Sequence, residues 1–147
     1  MLYHILTMSL SVSVVISTYD RFEFLKRSVD SVLGQSIPDD RYEILIVQSE
    51  YKKISQSEKE SIDDPQVSWY SESGGSLSHG RNVGMKNATG DIIVFLDDDA
   101  IANPYWLESI TKSYESTQPE PDCVGGPVIP QYESNPPEWF PDKLQLI

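Results

Sequence analysis

Three consecutive aspartates, Asp97, Asp98 and Asp99, follow the apolar run Ile92-Ile93-Val94-Phe95-Leu96. The nearest basic residues along the chain are Lys86 and Lys112, so no sequence neighbour neutralises them. On an extended backbone Asp97 and Asp99 share one side and Asp98 takes the other. Paired carboxylates at a strand end make a hard oxygen site that fits Mg²⁺ or Mn²⁺, not zinc or copper. Mg²⁺ takes one or two protein carboxylates and completes its shell with water and substrate phosphates. Such a site suits a metal–diphosphate, with the metal stabilising a phosphate leaving group. The alternative is a solvated acidic loop that caps the helix starting near Pro104. Three aspartates alone support both readings equally. The buried strand before them and Pro104 behind them favour the first.

A second constellation is Leu77 to Ala88, LSHGRNVGMKNA, which follows the pair Gly74-Gly75. Arg81 and Asn82 sit early in a helix, and helix starts and arginine both favour phosphate oxygens. The rival reading is a surface arginine on a helix that uses Gly80 and Gly84 for close packing. His79 is read as structural, and the sequon Asn87-Ala88-Thr89 as chance.

Bulk properties narrow the field. One domain is expected from 147 residues, and a net charge of −12 argues against nucleic-acid or anionic-membrane partners. The acidity is read as a solvated surface, with a salt-adapted source left open. Cys123 is the single cysteine, which excludes a disulfide framework and a cysteine-based zinc site; it is expected to be a buried small apolar residue. The opening MLYHILTMSL lacks the marks of a signal peptide, Met8 could equally be the start, and no apolar run is long enough to span a bilayer. The simplest expected location is the cytoplasm, with peripheral contact at the inner membrane face admitted.

The elements that must position these residues alternate. Ser11–Ser17 is a β-branched strand, and Asp20 with Glu23 forms a D-x-x-E capping box. The helix behind it carries Phe24, Leu25, Val29, Val32 and Leu33 on one face and stops near Gly34. Tyr42–Val47 is the second strand, and residues 52–64 form a weak helix or loop. The third strand is Val67–Tyr70, and a helix over Ser76–Ala88 follows. Asp91–Leu96 is the fourth strand, and Asn103-Pro104 starts a helix with Trp106, Leu107, Ile110 and Tyr114. Cys123 to Gly126 begins a further strand or edge segment, and a proline-rich tail follows. Alternation of strand and helix predicts an α/β fold, an open, mostly parallel sheet of βα units with right-handed crossovers. With strand order 3-2-1-4, the tips Ser17-Thr18-Tyr19-Asp20 and Asp97-Asp98-Asp99 face one crevice, where such sheets bind ligands.

The chain resembles the amino-terminal, nucleotide-binding half of family 2 glycosyltransferases of the Rossmann-like GT-A fold. The resemblance rests on VVISTYDR (14–21), SVDSVLGQS (28–36), YEILIV (42–47), GRNVGMKNATGDIIVFLDDDAIANPYWLE (80–108) and VGG (124–126). It implies inverting transfer of a sugar from a UDP- or GDP-type nucleotide sugar with Mg²⁺ or Mn²⁺. It implies nucleotide-sugar contacts from Ser17, Tyr19, Asp20, Arg81, Asn82, Asp97 and Asp98. It makes Asp99, with Asp97, the metal-binding pair, and Asp97 the ribose-side contact. The resemblance covers residues 11–128 as the nucleotide-sugar-binding domain. Residues 129–147 are then an irregular tail leading into an acceptor half that lies beyond the chain.

Two departures stand out. Where the family has an acidic pair after its second strand, this chain has Val47-Gln48-Ser49-Glu50, and Gln48 becomes the candidate base contact through its amide. The catalytic base is not identifiable: Glu133, Glu138 and Asp142 sit in no matching motif, and the acceptor, whether glycan, lipid or protein, is open. A non-catalytic nucleotide-sugar-binding module or an inactive fragment is the alternative reading. A phosphotransferase with an aspartate nucleophile ranks last, because such enzymes place that aspartate after the first strand.

Overall fold

In a computed structural model the described residues are 9–132, with Pro137 and Trp139. Glu133, Glu138 and Asp142 lie outside them. The chain divides into two compact units, Met1–Thr111 and Lys112–Ile147.

The first unit is built on a parallel sheet, as expected, with four strands in the order β3-β2-β1-β4 that makes β1 and β4 neighbours. Its strands are β1 (Val12–Thr18), β2 (Tyr42–Ser49), β3 (Val67–Glu72) and β4 (Ile92–Asp97). β1 and β2 are central and read as near-continuous apolar runs because helices cover both of their faces. The helices are α1 (Phe22–Leu33), a short α2 (Gln56–Glu60), α3 (Leu77–Asn87) and α4 (Trp106–Ser116). The connections β1→β2 and β3→β4 run in opposite directions across the sheet. Right-handed crossovers therefore put α1 and α3 on opposite faces.

Under α3 lies a cluster of Val15, Leu45 and Val47, joined by Tyr70 and Val83. Close approach is made possible by glycine: a Cβ on Gly84 would fall 2.2 Å from Val15 Cγ1, and one on Gly80 would fall 2.8 Å from Ser17 Oγ. On α1 the buried positions are Leu25, Ser28, Val29 and Val32, spaced i, i+3, i+4, i+7. Phe24, expected on that face, is exposed because it lies one position, about 100°, off this stripe.

Element starts depart from expectation in two places. The Asp20–Glu23 capping box is absent: Arg21 occupies the cap position of α1 with no side-chain cap bond. Asp20 instead takes a left-handed φ of 57° and pairs with Lys52. Asp tolerates that conformation better than most residues. The capping box forms on α2, between Ser55 and Glu58. At the other end of the unit, Asn103 Oδ1 accepts from Tyr105 N at 3.0 Å, and the regular turns of α4 begin only at Trp106.

Among its described residues the second unit holds the end of α4 and a segment without helix or strand. Cys123 to Gly126 does not form a strand, and Cys123 is exposed rather than buried. Among the described residues no helix is long and apolar enough to cross a membrane.

Candidate functional site at the carboxyl ends of the strands

The β1–β4 register pairs Ser17 with Asp97, so the two polar tips stand side by side. β4 ends at Asp97, and the turn that follows, closed by Ala100 N donating to Asp97 O at 3.0 Å, separates the three aspartates. Asp98 turns inward and is 2% exposed. Thr18 Oγ1 donates to its Oδ2 at 2.8 Å, and Arg21 Nη2 donates to its Oδ1. Asp97 and Asp99 turn outward, with side chains 59% and 48% exposed. Arg81 Nη2 reaches Asp97 Oδ1 at 3.0 Å, and Arg21 Nη1 reaches Asp99 Oδ2 at 2.9 Å. Arg81 also lies over the Phe95 ring, 5.5 Å from its centroid.

The tip that is unneutralised along the sequence is therefore neutralised in space. Partial burial of the Arg21 guanidinium works against its charge, and the Asp98 and Asp99 carboxylates outweigh that, so its pKa lies above the usual arginine value. The backbone behind the aspartates is fixed from α1. Ser28 Oγ donates to Asp97 O at 3.2 Å, and Ser31 Oγ accepts from Ala102 N at 2.9 Å. Gln35 Nε2 donates to Asn103 O at 2.8 Å, and its Oε1 accepts from Leu107 N at 2.9 Å.

Beside this tip opens a crevice across the ends of β1, β2 and β3. From the β1 side it is lined by Ser17, Thr18, Tyr19 and Arg21, with Asp98 adjoining. On the far side stand Val47, Ser49, Glu72 and the loop Gly75–Leu77, with Gly80 between. Of the nucleotide contacts expected from sequence, Ser17, Tyr19 and Asp98 line this crevice. Ser17 Oγ is buried there without a hydrogen-bond partner. Asp20, Arg81, Asn82 and Asp97 do not line it; Asp20 faces a smaller opening with Glu23, Lys53 and Glu58.

Gln48 is turned away. Pairing of Thr18 with Gln48 and of Gln48 with Ser71 sets it on the opposite face from Val47 and Ser49. It is 3% exposed, its Nε2 donates to Ser71 Oγ at 3.2 Å, and its Oε1 has no partner. The crevice-facing residues there are Ser49 and Glu72. Sequence reading missed these two, together with Thr18 and Arg21. Strand parity could have signalled Ser49, since it lies two residues after the buried Val47.

Among the described residues no three His, Cys, Asp or Glu side chains converge as a ready-made metal cage. The exposed carboxylates Asp97 and Asp99 at the end of β4 are of the type that suits a hard divalent cation bringing phosphate oxygens with it.

The family model "Glycosyl transferase family 2" matches residues 13–144. The chain belongs to this family. Among curated relatives it is 35% identical over 144 residues to a glucosyl-dolichyl phosphate glucuronosyltransferase of Haloferax volcanii, covering 94% of this chain and 44% of the relative. It is 31% identical over 121 residues to glycosyltransferase AglE of the same organism, covering 80% and 39%. This family 2 chain thus spans less than half the length of those relatives. Among solved structures, S. aureus TarS in complex with UDP matches with a TM-score of 0.64 at 19% identity, over 72% of this chain and 32% of that one. Mannosyltransferase PcManGT from Pyrobaculum calidifontis, in complex with GDP-Man and Mn2+, matches with a TM-score of 0.60 at 22% identity, over 73% and 32%. At that identity these likenesses establish the GT-A fold.

Proposed function

We propose that residues 11–128 form the donor-binding domain of a glycosyltransferase. It takes a nucleotide-diphosphate sugar of UDP or GDP type together with Mg²⁺ or Mn²⁺, for inverting transfer to an acceptor hydroxyl. Residues 129–147 lead towards the acceptor-binding half. One observation carries this reading: outward carboxylates, two arginines and an open crevice meet at the carboxyl ends of adjacent parallel strands, where α/β sheets take their ligands. The metal-and-GDP-mannose complex of PcManGT supports it by analogy.

Asp99 and Asp97 are the residues that would hold the cation. When bound, the cation supplies positive charge at the diphosphate oxygens as the bond to the sugar breaks. Arg21 and Arg81 add fixed positive charge at the same edge, and arginine forks match phosphate geometry. Thr18 and Arg21 hold Asp98 inward, which aims its two neighbours outward. Ser17 and Tyr19 form the near wall of the nucleotide crevice.

Calorimetric titration of UDP-N-acetylglucosamine and GDP-mannose into the 147-residue chain, with and without Mn²⁺, tests the proposal. Metal-enhanced binding of either donor is expected. Binding of neither would remove the reading. Binding without turnover of any acceptor would assign the chain to donor capture alone.

A further inference from the structure

The described crevice contains an acid that the proposed chemistry leaves unused. Glu72, the last residue of β3, stands opposite Ser49 in the register and lines the crevice while only 5% exposed. One carboxylate oxygen, Oε2, accepts from Gly75 N at 2.9 Å. That is its only side-chain partner among the described residues, and no ion pair reaches it. A carboxylate offers about four acceptor positions, and a buried charge left with one donor is costly. Arg21, which also lines the crevice, pairs with Asp98 and Asp99 and not with Glu72. Glu72 is therefore a buried acceptor facing a cavity without its donors.

We infer that Glu72 reads the nucleobase of the donor, accepting a ring N–H from its Watson–Crick edge. The inference rests on the proposed nucleotide-sugar site. Position selects the base over the ribose. β3 lies two strand spacings, roughly 10 Å, from β1 and its Arg21, and three from the β4 aspartates. A diphosphate held at the β1–β4 tips places the ribose next to it and the base beyond, towards β2 and β3. An acceptor-only group then discriminates. Uracil N3–H and guanine N1–H are donors at the centre of the Watson–Crick edge, whereas cytosine N3 and adenine N1 present a lone pair there and leave a carboxylate only the exocyclic amine beside it. Sites built around one buried hydrogen bond reject analogues that lack the partner. The chain thereby places an acid at the base end of the crevice from β3, where Gln48 on β2 faces away.

The test compares UDP, GDP, CDP and ADP, each with Mn²⁺, on the wild-type chain and on Glu72→Gln. The amide oxygen of glutamine can still accept from Gly75 N, so the loop keeps its bond while the group facing the base can become a donor. The variant is expected to bind UDP and GDP about tenfold or more weakly, and to keep or improve its binding of CDP and ADP. Inorganic pyrophosphate with Mn²⁺, which has no base, should bind both proteins alike. A variant that binds UDP and GDP as the wild type does overturns the inference and leaves the nucleotide-sugar site standing. A wild type that binds no nucleoside diphosphate overturns both. Should the variant not fold, 3-methyluridine and 1-methylguanosine diphosphates on the wild type replace it. About tenfold weaker binding than the unmethylated forms supports the inference, and equal binding overturns it. A loss confined to the 2′-deoxy nucleotides would assign Glu72 to the ribose and overturn the base reading.

Discussion

Arg21 Nη1 stands 2.9 Å from Asp99 Oδ2, across 78 residues of chain, while the other amino group of the same guanidinium holds Asp98. One side chain thus fixes which aspartate is buried and which is presented. Arg21→Ala leaves Asp98 with Thr18 as its remaining side-chain donor, and stability is expected to fall by about 1–3 kcal/mol, read as a lower unfolding midpoint in denaturant. Most of that belongs to buried Asp98, since a half-exposed pair such as Arg21–Asp99 contributes little. Arg21→Lys should recover only part, because an ammonium cannot fork between two carboxylates as a guanidinium does. Full stability in Arg21→Ala would contradict this role.

Gln35 links α1 to the segment behind the aspartates through Asn103 O and Leu107 N. Gln35→Leu keeps the volume and removes both partners. Asn103 O keeps Trp106 N as a donor, so the expected cost is about 1–3 kcal/mol for the buried Leu107 N left unpaired. Hydrogen exchange should localise the loosening to residues 100–107 and α4.

Gly84 allows α3 to press on β1. In Gly84→Ala the added methyl meets Val15, which is 1% exposed and cannot retreat. Overpacking of this kind costs about 1–3 kcal/mol, so thermal unfolding should shift downward without loss of helix content. Alanine at this position with an unchanged midpoint would mean that α3 can lift away from the sheet.

Acid sensitivity is expected at the opposite end of the sheet. Partial burial pushes the Glu43 pKa up, but donors from Ser13 Oγ at 2.6 Å and from Thr89 N at 2.7 Å outweigh it, and the value lies below the ordinary glutamate range. A folded-state pKa below the unfolded one contributes stability above the unfolded value, about 4.3. That contribution is lost as pH falls through the folded value. Glu43→Gln should therefore be less stable than wild type near neutrality, with the gap closing in acid. A gap that stays constant down to about pH 3 would contradict this.

The parts legible in the sequence were those governed by local periodicity. Strand–helix alternation predicts the parallel α/β sheet, and the two-residue repeat predicts that Asp98 parts from Asp97 and Asp99, though the strand ends at Asp97 and a turn carries the other two. Long-range pairing was not legible: nothing local to Arg21 says that its side chain crosses to β4 instead of leaving Asp20 to cap α1. Gln48 was nominated from its place in the resemblance, and strand parity sets it on the face away from the crevice, since one residue along a strand moves a side chain to the other face. Glu72 escaped notice for a related reason. The third strand was expected to stop at Tyr70, yet its pairing with β2 carries it to Glu72 at the crevice. Cys123 was misplaced because burial was inferred from residue type, and its segment does not form a strand.

The central claim is that the outward aspartates take a metal–diphosphate. Electron paramagnetic resonance of Mn²⁺ with the wild-type chain and with Asp99→Ala, each with and without UDP or GDP, tests it most directly. The account predicts that nucleotide draws Mn²⁺ onto the wild type and that Asp99→Ala weakens this by about tenfold or more. Equal Mn²⁺ uptake by both proteins in the presence of nucleotide would contradict it.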